Sequence, residues 1–405
     1  MRWISLLRMS LPRGYCMISL PSFKRFLEEK PLYYKEIDHQ RVHQAYARIK
    51  PHLQQPRIIH LVGTNGKGST GRMIATLLHQ SGVRVGHFSS PHIVRFNERI
   101  WVEGEESSDD LLEAGHQRLY RLLGASMSEA LSYFEYTTLL ALVVMERLEV
   151  IVLEAGLGGE YDATNVVSKE LSVITPIGLD HQAFLGEDIA SIATTKLRSI
   201  QTKALLAKQP YPEVYTLAKT LAQEHPSIEL YAIERERQEI VALGRELGWA
   251  NYLIDNAHVA VRALELLGLP HRIADLSKVQ LFGRFYPYAK NVRMDVGHNL
   301  LAVEAICRAL KEHYPQGVVL VYNTLDDKPY TAILKQLKPH LKRVEIIAIE
   351  SERAVALSDL EATLKALEIP FRMFHNIEKY DNYLVFGSFY VVEAFLKQEN
   401  YLKNQ

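Results

Sequence analysis

Short β-branched apolar runs alternate with longer segments whose apolar residues recur at helical spacing. The runs RIIHLV (57–62), VRVGHF (83–88), VIVL (150–153), LSVIT (171–175) and ALLA (204–207) predict buried strands. Between the first two, STGRMIATLLHQSG places Met73, Leu77 and Leu78 on one stripe, which predicts a helix with Ser69 as N-cap and Gly82 as its stop. A long helix is predicted from Asn251 to Leu267, ended by Gly268, and GLPHRIADLSKVQLFGR (268–284) reads as a connector. A fresh alternation follows: strands at 292–296, 317–322, 343–349 and 383–386, and helices at 299–313, 329–338, 358–367 and the C-terminus. Such alternation predicts an α/β protein with mainly parallel sheets, divided into a unit at 17–282 and a smaller one at 283–405.

The first sixteen residues, MRWISLLRMSLPRGYC, fit neither unit. Arg8 interrupts their only apolar patch, so a disordered tail, or a true start at Met17, is expected rather than a signal peptide. With 47 basic and 47 acidic residues the chain has no net charge, which excludes a global basic footprint for nucleic acid or an anionic membrane. No apolar run approaches the ~18 residues that span a bilayer. Cys16 and Cys307 make neither a disulfide framework nor a zinc cluster, and a cytoplasmic location is expected.

The chemistry begins at GTNGKGS (63–69), between a strand's carboxyl end and a helix's first turn. There, free amides and the positive end of the helix dipole suit a polyphosphate. Lys67 can reach the outer phosphates, and a hydroxyl at Ser69 or Thr70 can meet Mg²⁺. The usual loop has four residues between its glycines and a hydroxyl directly after the lysine; this one has two, Thr64 and Asn65, and its serine is one place late. Three more predicted strands end on polar groups: Ser89, Ser90 and His92 after VRVGHF, Glu154 after VIVL, and Asp180 and His181 beyond LSVIT. Taken singly, Glu154 could be a satisfied strand-end carboxylate and His181 a structural histidine. At neighbouring strand ends beside a phosphate loop, they suit a nucleotide's metal ion. In the second unit Asp295 ends a strand, His298 and Asn299 open a helix, and Arg284 stands in the connector, which predicts a site in the cleft between the units.

The stretches GTNGKGS, SSPHIVRFNERI (89–100), LEAGLGG with DATN (153–165), LDH (179–181), FGR (282–284) and DVGHN (295–299), in this order, closely resemble the folylpolyglutamate synthase/dihydrofolate synthase branch of the Mur ligase family. The resemblance runs from about Phe23 to the end and includes YLVFGSFYVVEAF (383–395). It implies an N-terminal P-loop-type ATPase domain with a mainly parallel sheet, a smaller C-terminal Rossmann-like domain, and an ATP-dependent amide ligase acting in the cytoplasm as a monomer. By the same resemblance Gly63, Thr64, Asn65, Gly66, Lys67, Gly68 and Ser69 hold ATP phosphates, with Asn256, Arg284 and Asp295 as further ATP contacts. Ser90, Glu154 and His181 hold magnesium, with a carbamylated Lys196 at a second ion; Lys67, His298 and Lys196 are the chemistry-bearing side chains. The pterin-side substrate lies against Ala130, Leu131, Ser132 and Tyr133, against Tyr161, Asp162 and Ala163, and near Asp38 and Arg41. Expected substrates are dihydropteroate or tetrahydrofolate, L-glutamate and ATP, without nucleic acid or membrane. The chain departs from the family pattern at KLRS (196–199), where K-A-G is common, and at Glu160, where arginine is common. Two rivals share part of the pattern. A peptidoglycan-precursor ligase would lack the SPH…RFNERI stretch, and a P-loop switch ATPase would carry the four-residue spacer.

Overall fold

A computed structural model describes residues 20–30 and 38–399. The expected tail, Met17 and Cys16 lie outside the described residues. Two sheets organise the rest. The first has the order β4-β3-β2-β5-β1-β6-β7-β8. Its strands are β1 (Arg57–Val62), β2 (Val85–Phe88), β3 (Ile100–Val102), β4 (Glu105–Glu106), β5 (Val150–Glu154), β6 (Leu171–Ile174), β7 (Lys203–Leu206) and β8 (Glu229–Ala232). Strands β2, β5, β1, β6, β7 and β8 run parallel. Only the β3–β4 hairpin, antiparallel to β2, breaks the pattern. The central strands are buried on both faces, which is why they read as near-continuous apolar runs.

The second sheet, β13-β12-β11-β14-β10-β9, contains β9 (Tyr286–Ala289), β10 (Val292–Asp295), β11 (Val318–Tyr322), β12 (Leu341–Ile346), β13 (Phe371–Met373) and β14 (Tyr383–Phe386). It is parallel apart from edge strand β9. The protein is therefore a mixed α/β structure with one large, mainly parallel sheet and one smaller sheet. Sequence periodicity did not show β3, β4, β8, β9 and β13, which are short, edge-lying or both.

Five helices position the site: α1 (Lys67–Gln80), α2 (Tyr133–Met145), α3 (Ile189–Leu197), α4 (Asn251–Leu266) and α5 (Leu300–His313). The first corrects one expectation. Ser69 is not its N-cap; the helix opens at Lys67 after Gly66, which has φ +89° and so takes a conformation that glycine adopts without strain. Ser69 instead lies inside the first turn, buried, with its hydroxyl donating to the Gly66 carbonyl at 3.2 Å. At the other end Gly82 (φ +83°) does stop the helix: the Gly82 and Val83 amides bond back to His79 and Leu78 in a Schellman closure.

The strand order explains where the loop sits. From β1 the chain crosses to β2 on one side, whereas β6 feeds β7 on the other. The crevice between the carboxyl ends of β1 and β6 is thus a switch point of the kind where open α/β sheets take ligands. Thr64 and Asn65 donate their amides across it to the Pro176 carbonyl at 2.9 and 3.2 Å. The packing there is tight: a Cβ on Gly63 would stand 2.0 Å from Thr175 Oγ1 and 2.8 Å from the Thr175 carbonyl oxygen.

Gly63→Ala should therefore lower stability by roughly 1–3 kcal/mol or more, read as the urea midpoint. A Thr175→Ala partner change should not restore it, because the backbone oxygen remains in the way. Full recovery in the double variant would show that side-chain crowding alone fixes the loop.

Candidate active site

Residues Gly63–Ser69 wrap the end of β1, and the amides of Lys67, Gly68 and Ser69 open α1, so they have no acceptor within the helix. Asn256 of α4, 4 % exposed, holds the loop from behind. Its amide donates to Ser69 Oγ at 2.8 Å, and its Oδ1 lies 2.9 Å from where a Gly66 Cβ would be. Lys67 Nζ rests on the carbonyls of Gly63 and Thr64 at 3.1 and 3.3 Å. Lys196, on α3 and 5 % exposed, reaches the same Gly63 carbonyl at 3.0 Å. Burial, reinforced by neighbouring Lys67, pulls the Lys196 amine down to about 7.

Glu154 ends β5 beside the loop, buried, with Oε2 accepting from the Ser90 amide at 3.2 Å. Burial pushes its carboxyl up, while Lys67 and Arg284 act in the opposite direction. Gly68 keeps the space above it clear, since a Cβ there would come within 3.3 Å of Glu154 Oε2 and 3.6 Å of Arg284 Nη2. His181, at φ +52°, precedes a short helical turn, and burial holds its imidazole down to about 4, against the pull of Asp180. It is therefore neutral near pH 7, with a lone pair to offer.

A hydroxyl, a carboxylate and a neutral imidazole fit a small divalent cation. Among the described residues no three Cys, His, Asp or Glu side chains form a ready-made metal cage. Magnesium takes one or two carboxylates and completes its shell with phosphate oxygens and water.

The second sheet closes over this loop through side chains. The Asn65 and Asn299 side-chain amides lie against each other, at 2.9 and 3.0 Å. Asn299 also caps α5 and donates to Asp180 at 2.9 Å, and Lys328, from the turn after β11, donates to the same carboxylate at 3.0 Å. Burial would raise the Asp180 pKa, but His298, His181 and Lys328 outweigh it and hold the carboxyl well below its usual range. His298 lies with Nε2 3.8 Å from Asp180, its Nδ1 bonded to the Val296 carbonyl, and burial keeps it below its ordinary value.

Lys328 escaped the sequence reading. The signal was DDKP (326–329), separated by three residues from the apolar run VVLVY (318–322), which is again charge past a strand's carboxyl end.

Other sequence-derived candidates are placed less simply. Asp295 is buried, and three donors already use its carboxylate: the Tyr252 hydroxyl at 2.6 Å, the Phe285 amide at 2.9 Å and the Gly297 amide at 2.8 Å. A carboxylate has about four acceptor positions, which leaves one for a ligand. Arg284 lies over the Phe389 ring, 5.4 Å from its centroid, facing Gly68.

On the opposite rim, Ser132 caps α2 in a capping box with Glu135, and Arg41 binds Glu135 at 2.9 Å. Asp38 caps the turn leading to Arg41. Tyr161, 56 % exposed, stacks on His39 at 4.4 Å, a partner the sequence did not announce. Tyr133 packs under Arg99. Leu131 and Ala163 are buried and Ala130 is exposed, so the first two offer a ligand only backbone. Asp162 is buried too, and both its oxygens are occupied, by the amides of Gly156, Leu157 and Thr164 and by the Thr164 hydroxyl. Its carboxylate shapes the turn and is not free to meet a substrate.

A phosphate loop facing a strand-end carboxylate, closed by a second α/β layer, is the plan of an ATP-dependent ligase, in which water must be kept from a reactive intermediate. No family model matches the chain. It is 33 % identical over 347 residues to the dihydrofolate synthase/folylpolyglutamate synthase of Escherichia coli K12, covering 79 % of each chain. The crystal structure of Helicobacter pylori folylpolyglutamate synthetase matches with a TM-score of 0.76 at 36 % identity, over 93 % of this chain and 98 % of that one. A bifunctional folylpolyglutamate synthase/dihydrofolate synthase solved with Mn, AMPPNP and L-glutamate bound matches with a TM-score of 0.76 at 26 % identity, over 94 % and 98 %. The chain belongs to the dihydrofolate synthase/folylpolyglutamate synthase family. Among the described residues no helix is long and apolar enough to cross a membrane.

Lys328→Met should leave Asp180 with one fewer donor at a buried junction, lowering the melting temperature by several degrees and loosening closure of the second sheet over the loop. Hydrogen exchange at Asn65 and Asn299 should rise with it. Unchanged protection at both would mean that the asparagine pair alone holds the junction.

Proposed function

We propose that this ATP-dependent ligase joins L-glutamate to dihydropteroate and to glutamylated tetrahydrofolates. A carboxylate and an amine do not condense in water, because the carboxylate is a poor electrophile. Attack of the acceptor carboxylate on the γ-phosphate of ATP breaks the γ-phosphate's bond to ADP and gives an acyl phosphate. The glutamate amine then attacks the carbonyl, loses a proton, and phosphate leaves. The observation that carries this reading is the direct pairing of the phosphate loop with the second sheet through Asn65 and Asn299. Closure on ATP would shield the acyl phosphate from water. ATP and a divalent metal are the cofactors, and a cytoplasmic site of action belongs to this reading, since ATP is the co-substrate.

In this scheme the amides of Gly66–Ser69 and the Lys67 ammonium neutralise charge on the transferred phosphoryl group. Ser90, Glu154 and His181 would hold the metal, which supplies positive charge to the same oxygens when bound. Lys196 is well placed to react with CO₂: its amine is buried and drawn down to about 7, so an appreciable fraction is the neutral nucleophile that carbamate formation needs. Carbamylation would exchange a cation for an anion beside Lys67. His298 and Lys328, facing Asp180, line the side from which the second substrate's charged groups arrive. The Tyr161–His39 stack and the Ser132–Glu135–Arg41 rim support an aromatic acceptor on the first unit, and a protomer acting alone suffices.

The reading is tested by ADP release, which should require glutamate together with a pteroate or reduced folate. Release without either would point to a switch ATPase, and release with a nucleotide-sugar peptide to a peptidoglycan-precursor ligase. Lys67→Ala should lower kcat by on the order of 10³-fold with folding unchanged; near-normal turnover at saturating ATP would remove the loop from catalysis. Lys196→Ala should lose most activity and regain part of it with small carboxylates in the assay. A normal rate with a normal metal requirement would take carbamylation out of the mechanism.

A further inference from the structure

A cavity of about 730 Å³ starts at the phosphate loop and runs along α1. Gly68, Ser69, Glu154 and Arg284 line its near end. Its far part passes Arg72, Thr76 and His79 on one face of the helix, with Trp101 and Glu106 of the β3–β4 hairpin opposite. At the helical rise, Arg72 lies about 6 Å and His79 about 16 Å along the axis from Gly68. The mechanism above uses none of these groups.

Among the described residues, two polar side chains that line it have no hydrogen-bond partner. His87 is 1 % exposed and neither ring nitrogen is bonded. Its ring sits beneath the helix at Gly71, where a Cβ would stand 2.4 Å from Nε2. The Arg72 guanidinium packs on the Trp101 ring, 4.8 Å from its centroid, and among the described residues it donates to no oxygen.

The nearby carboxylates act on Arg72 only through space, because each is engaged elsewhere. Glu106 pairs with Arg95, Glu98 takes the amides of Ile93, Val94 and Arg95, and Glu154 takes that of Ser90. Burial draws Arg72 down to about 10, which still leaves it charged at neutral pH. A guanidinium that faces a cavity with its donors unused is placed to take a ligand's oxygens.

We infer that the far part of this cavity is an oxyanion subsite in which Arg72 receives a free carboxylate of the acceptor's glutamyl tail. This rests on the function proposed above. The fork of guanidinium donors matches a planar carboxylate. The triphosphate is accounted for one helical turn away at the loop, and the cavity gives a chain access from the reacting end.

Dihydropteroate carries only the carboxylate that reacts, whereas tetrahydrofolate mono- and diglutamate carry one and two more. Arg72→Met should lower kcat/KM on the glutamylated acceptors roughly 10- to 100-fold, mainly through KM, and leave dihydropteroate and the KM for ATP within about twofold of wild type. Arg72→Lys should recover part of the loss. Equal losses on every acceptor, or a raised KM for ATP, overturn the inference, as does no loss at all. A wild-type enzyme that does not glutamylate reduced folates would overturn the function reading along with it, whereas normal folate activity in Arg72→Met overturns the inference alone.

A binding measurement guards against misfolding of the variant. In the wild-type protein with ADP, tri-γ-glutamate should change the fluorescence of Trp101, the change being absent in Trp101→Phe, while inorganic phosphate at the same concentration should not. A response to phosphate alone would make this a phosphate site and remove the tail from it.

Discussion

Everything at this site depends on one polar junction, the Asn65–Asn299 amide pair with Asp180 and Lys328 behind it. Asn65 belongs to the phosphate loop, Asp180 to the segment beyond β6, Asn299 to the cap of α5 and Lys328 to the turn after β11. Four carboxyl-end segments from two sheets therefore meet in one hydrogen-bonded cluster. Amides and a charged pair in a low-dielectric setting are directional in a way that apolar contact is not, so the cluster fixes orientation as well as proximity. Loss of any member leaves a buried donor or acceptor unmet, which is costlier than the net value of the bond.

The same burial sets the charge states around the loop. It works against charge on Lys196, His181 and His298 and against ionisation of Glu154. Asp180 is the exception, since His298, His181 and Lys328 surround it and overcome the burial cost. The result is a site with one carboxylate held anionic at the junction between the sheets, and a set of groups near the loop whose charged forms burial disfavours. Groups poised in this way respond strongly to an arriving polyanion, which Lys67 and the loop amides attract and which would favour the charged form of the neighbouring amines.

Most of this plan was legible in the sequence, for a physical reason. Strands of a parallel sheet are buried on both faces and announce themselves as apolar runs, so the residues at the ends of RIIHLV, VIVL and RMD are legible as the carboxyl-end edges of their two sheets. The β3–β4 hairpin and β9 were not legible, because short edge strands carry little periodic signal. Contacts between distant segments were also hidden: nothing local marks Lys328 as the partner of Asp180, or His39 as that of Tyr161. Asp162 shows a further limit, since a motif identifies a carboxylate without telling whether its oxygens face a ligand or its own backbone. The two departures from the family pattern turn out to be neighbours. Glu160 and Arg198 face each other at 3.4 Å, an exposed pair worth at most about 1 kcal/mol, so the exchange leaves the Lys196 end of α3 in place.

The shortened spacing of GTNGKGS also has its explanation in contacts. In the common loop a longer spacer arches around the phosphates on its own. Here the two spacer residues are anchors. Thr64 and Asn65 give their amides to the Pro176 carbonyl, and Thr64 exchanges hydrogen bonds with Gly178 at 3.0 Å. Asn65 reaches across to the second sheet. Gly63 fits against Thr175 and Gly66 against Asn256, each where a Cβ would collide. Because the loop is pinned from Gly63 to Gly66, the helix can begin directly at Lys67, and Ser69, left inside its first turn, is tied back to Gly66 and to Asn256. The late serine is thus a consequence of the early helix, and the early helix of a loop held from both sheets.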